Sequence, residues 1–266
     1  LVGSLLVGLS LGKSIAFGLN LPFYAVHHLE GHLVSPFLET GLNSVPERFV
    51  GLVVSGGHSN LFAVEDGAVR TLGEARDDAM GEVFDKVGKR LGLAYPQGPL
   101  VDALAERGDA KAHPFAIPSC GDSLDVSFSG LKSQALGEIE KLERREGSWH
   151  PEDGDPPPSI LNLLAGFRAA AVGQVLDRVT RLHAREAIPL LAVSGGAAAN
   201  RLLRRELEIW CAANDVPLRL VSLGFSGDNA AMIAFAAQLR HLGRLHGGAD
   251  DLFLAEAESR IPSLTP

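Results

Sequence analysis

Cysteine is scarce in this 266-residue chain: Cys120 and Cys211 are the only two. They lack CxxC spacing, so neither a disulfide framework nor a thiolate metal centre is expected, only two incidental thiols in a reducing compartment. An excess of basic charge is missing as well. Lys and Arg number 24 against 32 Asp and Glu, a net charge of −8. A protein that grips nucleic acid unaided is ordinarily basic, because affinity comes largely from phosphate neutralisation. If RNA is a substrate, the chain needs a local basic patch or helper subunits. Lys141, Arg144 and Arg145 do not form one, because Glu143 lies among them as on a solvated helix face. The most apolar stretch, residues 1–19, is no uninterrupted span of the about 20 residues a bilayer needs. Lys13 interrupts it, and Gly3, Gly8, Gly12 and Gly18 break it up. A signal peptide would carry its positive charge ahead of the apolar run, not inside it. A buried core helix of a domain that lacks its own start fits best, and no membrane association is expected.

What remains is a globular composition, 46% hydrophobic and 21% charged, long enough for one large domain or two lobes. The pattern alternates strands and helices. A helix over 1–19 ends near Gly18-Leu19-Asn20, a short strand spans Leu21 to Val26, and a helix spans His28 to Glu39. Phe49 to Val54 is a continuous apolar run entering Ser55-Gly56-Gly57, the mark of a buried strand followed by a tight turn. Asn60 to Val64 and Val69 to Leu72 form a hairpin turned at Glu65-Asp66-Gly67. Helical spacing runs from Asp78 to Leu93, and another helix follows Gly98-Pro99. Leu124 to Phe128 reads as a strand opening into the helix of Lys132. Residues 150–159, with four prolines, form an exposed loop. A long amphipathic helix covers Ile160 to Arg185. Ile188 to Val193 is a second buried strand ending in Ser194-Gly195-Gly196. A helix over Ala197 to Ala213, a strand over Leu218 to Val221 and a helix over Asn229 to Leu242 complete the pattern. Two strands ending in Ser-Gly-Gly suggest paired loops flanking a ligand cleft, since open α/β sheets bind ligands at the carboxyl ends of strands.

His27-His28-Leu29-Glu30-Gly31-His32 is the sharpest local signal. His28 and His32 stand at i and i+4, on one helix face, a spacing that suits a divalent metal. Two ordinary histidines would give the same pattern. Asp228, after Gly224-Phe225-Ser226-Gly227 and at the start of a helix, is the candidate third ligand; a plain helix cap is the competing role. A zincin-type protease is disfavoured, because it needs Glu directly after the first His, whereas Glu30 is rotated off the two-His face. Ser55-Gly56-Gly57-His58 lacks the flanking glycines of a nucleophile elbow. Backbone N–H groups offered to a phosphate are the better reading there, and Ser194-Gly195-Gly196 before Asn200 has the same logic. Asn200 would hydrogen-bond a ribose or amide, or be an ordinary helix-surface residue. Asp85 would accept from a ribose hydroxyl with Gly98 permitting close approach, or Asp85 and Lys86 are a solvated ion pair.

Taken in order, HHLEGH, VVSGGHS at 53–59, GEVFDKVGKRLGL at 81–93, YPQGP at 95–99, SFSGLK at 127–132, VSGGAAANRLLR at 193–204 and GDNAAMIA at 227–234 resemble the TsaD family, once called glycoproteases and related to the archaeal and eukaryotic Kae proteins. The resemblance spans nearly the whole chain. It implies an α/β, actin-like ATPase (ribonuclease H-like) fold with two lobes around a nucleotide cleft, the first lobe incomplete. Residues 1–47 would be the remnant of that lobe, 48–226 the second lobe, and 227–266 a returning helix and tail. It implies transfer of threonylcarbamoyl from threonylcarbamoyl-AMP to N6 of adenosine 37 in tRNAs reading codons that begin with A. His28, His32 and Asp228 would bind one divalent metal, iron first and zinc second. Val53, Val54, Ser55, Gly56, Gly57, Asp85, Gly98, Asp102 and Asn200 would line the adenylate site. No catalytic general base is implied. The expected partners are tRNA and TsaB-like and TsaE-like helper proteins, in the cytoplasm. This chain departs from the family pattern in three places. The usual first strand and its phosphate motif do not precede Leu1, Gln97 replaces a glycine and would narrow that turn, and Ser226-Gly227 replaces Cys-Thr. A small-molecule kinase of the same fold and a non-catalytic scaffold are the competing classes, and the histidine pair argues against both.

Overall fold

Residues 49–54 carry Phe49, Val50, Leu52, Val53 and Val54 with no charge among them, which suits a strand covered on both faces. The computed structural model describes residues 2–117, 120–250 and 254–256, and it places that strand at the centre of a five-stranded mixed sheet. In chain order the regular elements are α1 (Val2–Leu19), α2 (His28–Val34), β1 (Arg48–Val54), β2 (Ser59–Glu65), β3 (Ala68–Gly73), α3 (Met80–Arg90), α4 (Gln97–Ala105), α5 (Ser129–Glu146), α6 (Pro158–Arg185), β4 (Leu191–Ser194), α7 (Arg201–Ala213), β5 (Leu218–Leu220) and α8 (Ala230–His241). The strand order is β3-β2-β1-β4-β5. The first three strands form an antiparallel meander, while β4 and β5 continue it in parallel, with Val53 opposite Ser194.

The two-residue alternation of β1 divides its side chains between two cores. Val50, Leu52 and Val54 pack under α3 to α7, with Phe84, Phe128, Phe167 and Leu203. Phe49 and Val53 pack under α2 and α8, with Leu29, Leu33, Phe235 and Leu239. Thus α2, from the segment expected as a first-lobe remnant, and α8, the returning helix, share the second core of the 48–226 sheet. Gly51 makes this possible, since a Cβ there would stand 2.2 Å from Leu33 Cδ2. By length and composition α6 could cross a bilayer, but most of it is buried inside the fold, where it is the main core helix. Cys120 and Cys211 are buried free thiols, and burial pushes Cys211 up to about 11.

Three expectations need correction. Helix α1 forms where expected but is not buried: Leu5, Leu6, Val7, Leu11, Ile15, Phe17 and Leu19 are exposed, and among its described side chains only Ala16 is buried. Its apolar residues lie on several faces, interrupted by Lys13, so no single stripe could be buried against one core. Leu21 to Val26 is not a strand. Its backbone partners include side chains: the Asp250 carboxylate accepts from Ala25 N–H at 2.7 Å, and Arg240 donates to the Ala25 carbonyl at 3.3 Å. Leu124 to Phe128 contributes only one bridge, Val126 to Ala75, before the Asp77 carboxylate takes the N–H groups of Phe128 and Ser129 and starts α5. Residues 251–253 and 257–266 of the expected tail lie outside the described residues.

Candidate active site at the ends of the parallel strands

Strands β1 and β4 are adjacent and parallel, so their Ser-Gly-Gly turns emerge side by side at one edge of one sheet. Gly195 has φ +94, and a Cβ there would lie 2.2 Å from the Val54 carbonyl oxygen, so this glycine packs the second turn against the first. Gly56, Gly57 and Gly196 border open space instead. Ser55 organises the first turn, with its Oγ accepting from His58 N–H at 3.1 Å and from Gly57 N–H at 3.4 Å. Val53 and Val54 cannot line a site through their side chains, which are fully buried in opposite cores. Only their backbone leads to the turn.

The histidine pair is carried by α2, capped by His27, whose Nδ1 accepts from Leu29 N–H at 3.3 Å. Gly31 faces α8 so closely that a Cβ would stand 2.9 Å from Met232 Cγ and 3.0 Å from Ile233 Cδ1. Farther along α8, Arg240 and Glu30 form a buried pair at 2.6 Å. Burial pushes the Glu30 carboxyl up, and Arg240 opposes it. Glu30 therefore points away from the histidine face, as its spacing required. The close contact brings residue 228 to residue 32: His32 Nε2 lies 2.9 Å from Asp228 Oδ1, across 196 residues of sequence. His32 is fully buried, whereas the Asp228 side chain is 81% exposed, so the pair sits where the core opens to solvent. Asp228 is not the helix cap. Asn229 is, accepting from Met232 N–H at 2.9 Å, which leaves the Asp228 carboxylate for His32. His28 meets His58 of the first turn, Nε2 to Nδ1, at 3.4 Å. Burial lowers the pKa of all three imidazoles; Asp228 opposes this in each, and His32 reinforces it at His28. The donor chemistry, imidazole nitrogens beside a carboxylate, suits zinc or iron. The Nδ1 of His32 is buried without a hydrogen-bond partner. Among the described residues, no three His, Cys, Asp or Glu already enclose one ion-sized point; these four meet as two pairs.

The remaining expected residues flank the turns, and the structure gives several of them other duties. Asp85 Oδ1 accepts from Gly98 N–H at 2.8 Å and so holds the first turn of α4. Lys86 is not its partner, since Lys86 reaches Asp78 at 2.6 Å. Gln97 does not narrow the turn: it begins α4 and is buried against α3, with its Cβ 2.6 Å from where a Cβ on Gly88 would stand. Asp102 is withdrawn into a buried ion pair with Arg168 at 3.0 Å, and its second oxygen accepts from Arg201 N–H at 3.1 Å. Both of its oxygens are thus engaged by the protein itself. It ties α4 and α6 to the start of α7. Asn200 caps α7, its Oδ1 accepting from Leu203 N–H at 2.9 Å. The sequence reading assigned no role to Arg168, Arg240 or His58. Only His58 left a local signal, as the last residue of the glycine turn. A second missed cluster joins Lys132 to Asp78 at 2.5 Å, just ahead of α3.

A nucleotide-type α/β sheet with glycine turns at the ends of adjacent parallel strands, and a His/Asp cluster beside them, defines a member of the actin-like ATPase fold class. Two solved structures show the same fold. HypF from T. kodakarensis aligns with a TM-score of 0.66 at 15% identity, over 89% of this chain and 39% of that one. Full-length HypF in its phosphate- and nucleotide-bound form aligns with a TM-score of 0.61 at 14% identity, over 84% and 43%. Within the class, the chain belongs to the TsaD family, tRNA N6-adenosine threonylcarbamoyltransferase, whose family model matches residues 1–235. Relatives of that name include proteins from Trichormus variabilis, 43% identical over 92% of this chain and 70% of the relative, and Sorangium cellulosum, 39% identical over 100% and 75%. A relative from Geobacter sp. is 44% identical over 88% of this chain and 65% of its own length. The chain thus spans about two thirds to three quarters of these relatives.

Proposed function

We propose that this chain transfers threonylcarbamoyl from threonylcarbamoyl-AMP to N6 of adenosine 37 in tRNAs reading codons that begin with A. The observation that carries the reading is the meeting of His32 with Asp228 at 2.9 Å, beside the open glycine turns. The turns at 55–57 and 194–196 hold the adenylate phosphate through backbone N–H groups. Asp85 accepts from a ribose hydroxyl with the oxygen that Gly98 does not use, and Asn200 offers its amide N–H, since its oxygen is committed to the α7 cap. Val53 and Val54 contribute only the backbone that aims the first turn. Asp102 positions Asn200 and does not touch substrate.

In the reaction, the N6 amine attacks the carbamoyl carbon of the mixed anhydride. A C–N bond forms, the C–O bond to phosphate breaks, AMP departs with the bonding electrons, and the amine proton passes to the departing phosphate or to water. His28, His32 and Asp228 would hold one iron ion, with zinc as the alternative. Bound there, such an ion would supply Lewis-acid chemistry toward the threonylcarbamoyl group. Backbone donors fixed around the leaving phosphate stabilise its charge as it departs. Holding the amine against the carbon contributes up to about 7–11 kcal/mol in ideal cases. The net charge of −8 is in keeping with helper subunits that share the grip on tRNA, and the family resemblance implies TsaB-like and TsaE-like proteins, in the cytoplasm, for that role. The test replaces His28 and His32 with Ala in the full-length protein, then measures bound metal by mass spectrometry and modified nucleoside in tRNA. Loss of both is expected; retention of both refutes the assignment.

A further inference from the structure

His58, at the end of the glycine turn at 55–57, reaches the helix that carries the histidine pair. Its backbone is fixed from several directions. Ser55 N–H donates to the His58 carbonyl at 2.8 Å, and His58 N–H donates to Ser55 Oγ at 3.1 Å. Ser59 Oγ, next in sequence, accepts from Met80 N–H at 2.9 Å, and Gly81 N–H donates to the Ser55 carbonyl at 3.2 Å. The half-buried ring of His58 is thus presented by an anchored turn, with its centroid 4.8 Å from that of His28 and its Nδ1 3.4 Å from His28 Nε2.

That separation is long for a hydrogen bond between ring nitrogens. It matches the spacing of neighbouring donors on one ion. Two ligands each about 2.1 Å from a metal stand about 3.0 Å apart in an octahedral arrangement and about 3.4 Å apart in a tetrahedral one. The His32–Asp228 separation of 2.9 Å falls beside the same range. We infer that His58 is a further metal donor, through Nδ1, so that three imidazoles and one carboxylate surround the ion and the ion is tied directly to the adenylate turn.

This rests on the metal reading above and extends it in two ways. Four protein donors leave room for substrate only on an ion that accepts five or six ligands, which favours iron over a four-coordinate zinc. A donor within the turn also couples the two sites. Metal binding stiffens the loop that holds the phosphate, so each ligand tightens the other by the same factor.

The experiment uses the full-length protein loaded with Co(II), comparing wild type, His28→Ala, His58→Ala and His58→Gln. The readouts are metal stoichiometry, Co(II) affinity by chelator competition, the visible spectrum, and hyperfine-shifted exchangeable ring N–H signals in proton NMR. Wild type is expected to bind one ion and to show three shifted ring N–H signals, one for each ligating imidazole. Both His58 variants are expected to bind at least about tenfold more weakly, by comparison with the 10–100-fold cost of losing even an outer-shell partner. They should also show an altered visible spectrum and two shifted signals. Two shifted signals in wild type, or a wild-type spectrum and affinity in the His58 variants, would overturn the inference. Binding that survives His28→Ala, or no binding by wild type, would overturn the metal reading as well, and so separates the two failures.

Discussion

Asp102 and Arg168 offer the sharpest division between a ligand-binding role and a structural one. The family resemblance puts Asp102 in the adenylate site, whereas the structure spends its carboxylate on Arg168 Nη1 and on the N–H of Arg201. The side chains of the pair are 9% and 6% exposed, so removing one partner leaves the other charge in the core. Breaking such a pair costs about 3–5 kcal/mol. The low end applies to Asp102→Ala, because Arg168 keeps Glu106 at 2.6 Å. Arg168→Met leaves Asp102 with only the Arg201 N–H, again a cost of about 3 kcal/mol. In the double variant neither charge is stranded, so its cost falls well short of the sum, with a coupling of up to about 3 kcal/mol. For a chain of this size each single variant lowers Tm by roughly 6–12 °C, taking about 2–4 °C per kcal/mol. Denaturant and thermal unfolding of the four proteins, in the full-length chain, measure this. If Asp102→Ala unfolds like wild type while its affinity for a non-hydrolysable adenylate analogue collapses, Asp102 is a ligand and the ion pair incidental.

Three further outcomes are expected. Gly31→Val wedges α2 from α8 at Met232 and Ile233, costing about 1–3 kcal/mol as overpacking and weakening metal binding by separating His32 from Asp228; calorimetry and metal titration read both. Gly195→Ala places a Cβ against the Val54 carbonyl at positive φ, at a cost of at least about 1–2 kcal/mol from backbone handedness alone, and urea unfolding should show it. For Asp78, burial alone would raise the pKa, but hydrogen bonds from Lys132, Lys86 and Ser129 outweigh it and hold the carboxyl well below the usual range. A depressed folded pKa means the stabilisation is present above the unfolded value near 3.8 and is lost as pH falls below it. Asp78→Asn should therefore be less stable than wild type at pH 7 and show a shallower loss between about pH 4 and pH 2, measured by unfolding across pH.

Local pattern settled a good deal. The buried strand at 48–54, the hairpin turned at Asp66-Gly67, the helices on either side, the two Ser-Gly-Gly turns and the shared face of His28 and His32 all follow from periodicities that a few neighbouring residues define. Glu30 could be excluded from the histidine face for the same reason. Interactions between distant segments could not be read that way. Whether the apolar helix at 2–19 is covered depends on what packs against it, not on its own composition. Asp102 and Asn200 look alike as free polar side chains in sequence, but Arg168 and the start of α7 claim them in space. His58 gained its place beside His28 because an anchored turn carries it to α2. The approach of Asp228 to His32 rests on Gly31, which has no side chain to keep α8 at a distance. Periodicity is a property of the chain over a few residues, whereas the identity of a side chain's partner is fixed only when close packing chooses among many candidates far apart in sequence.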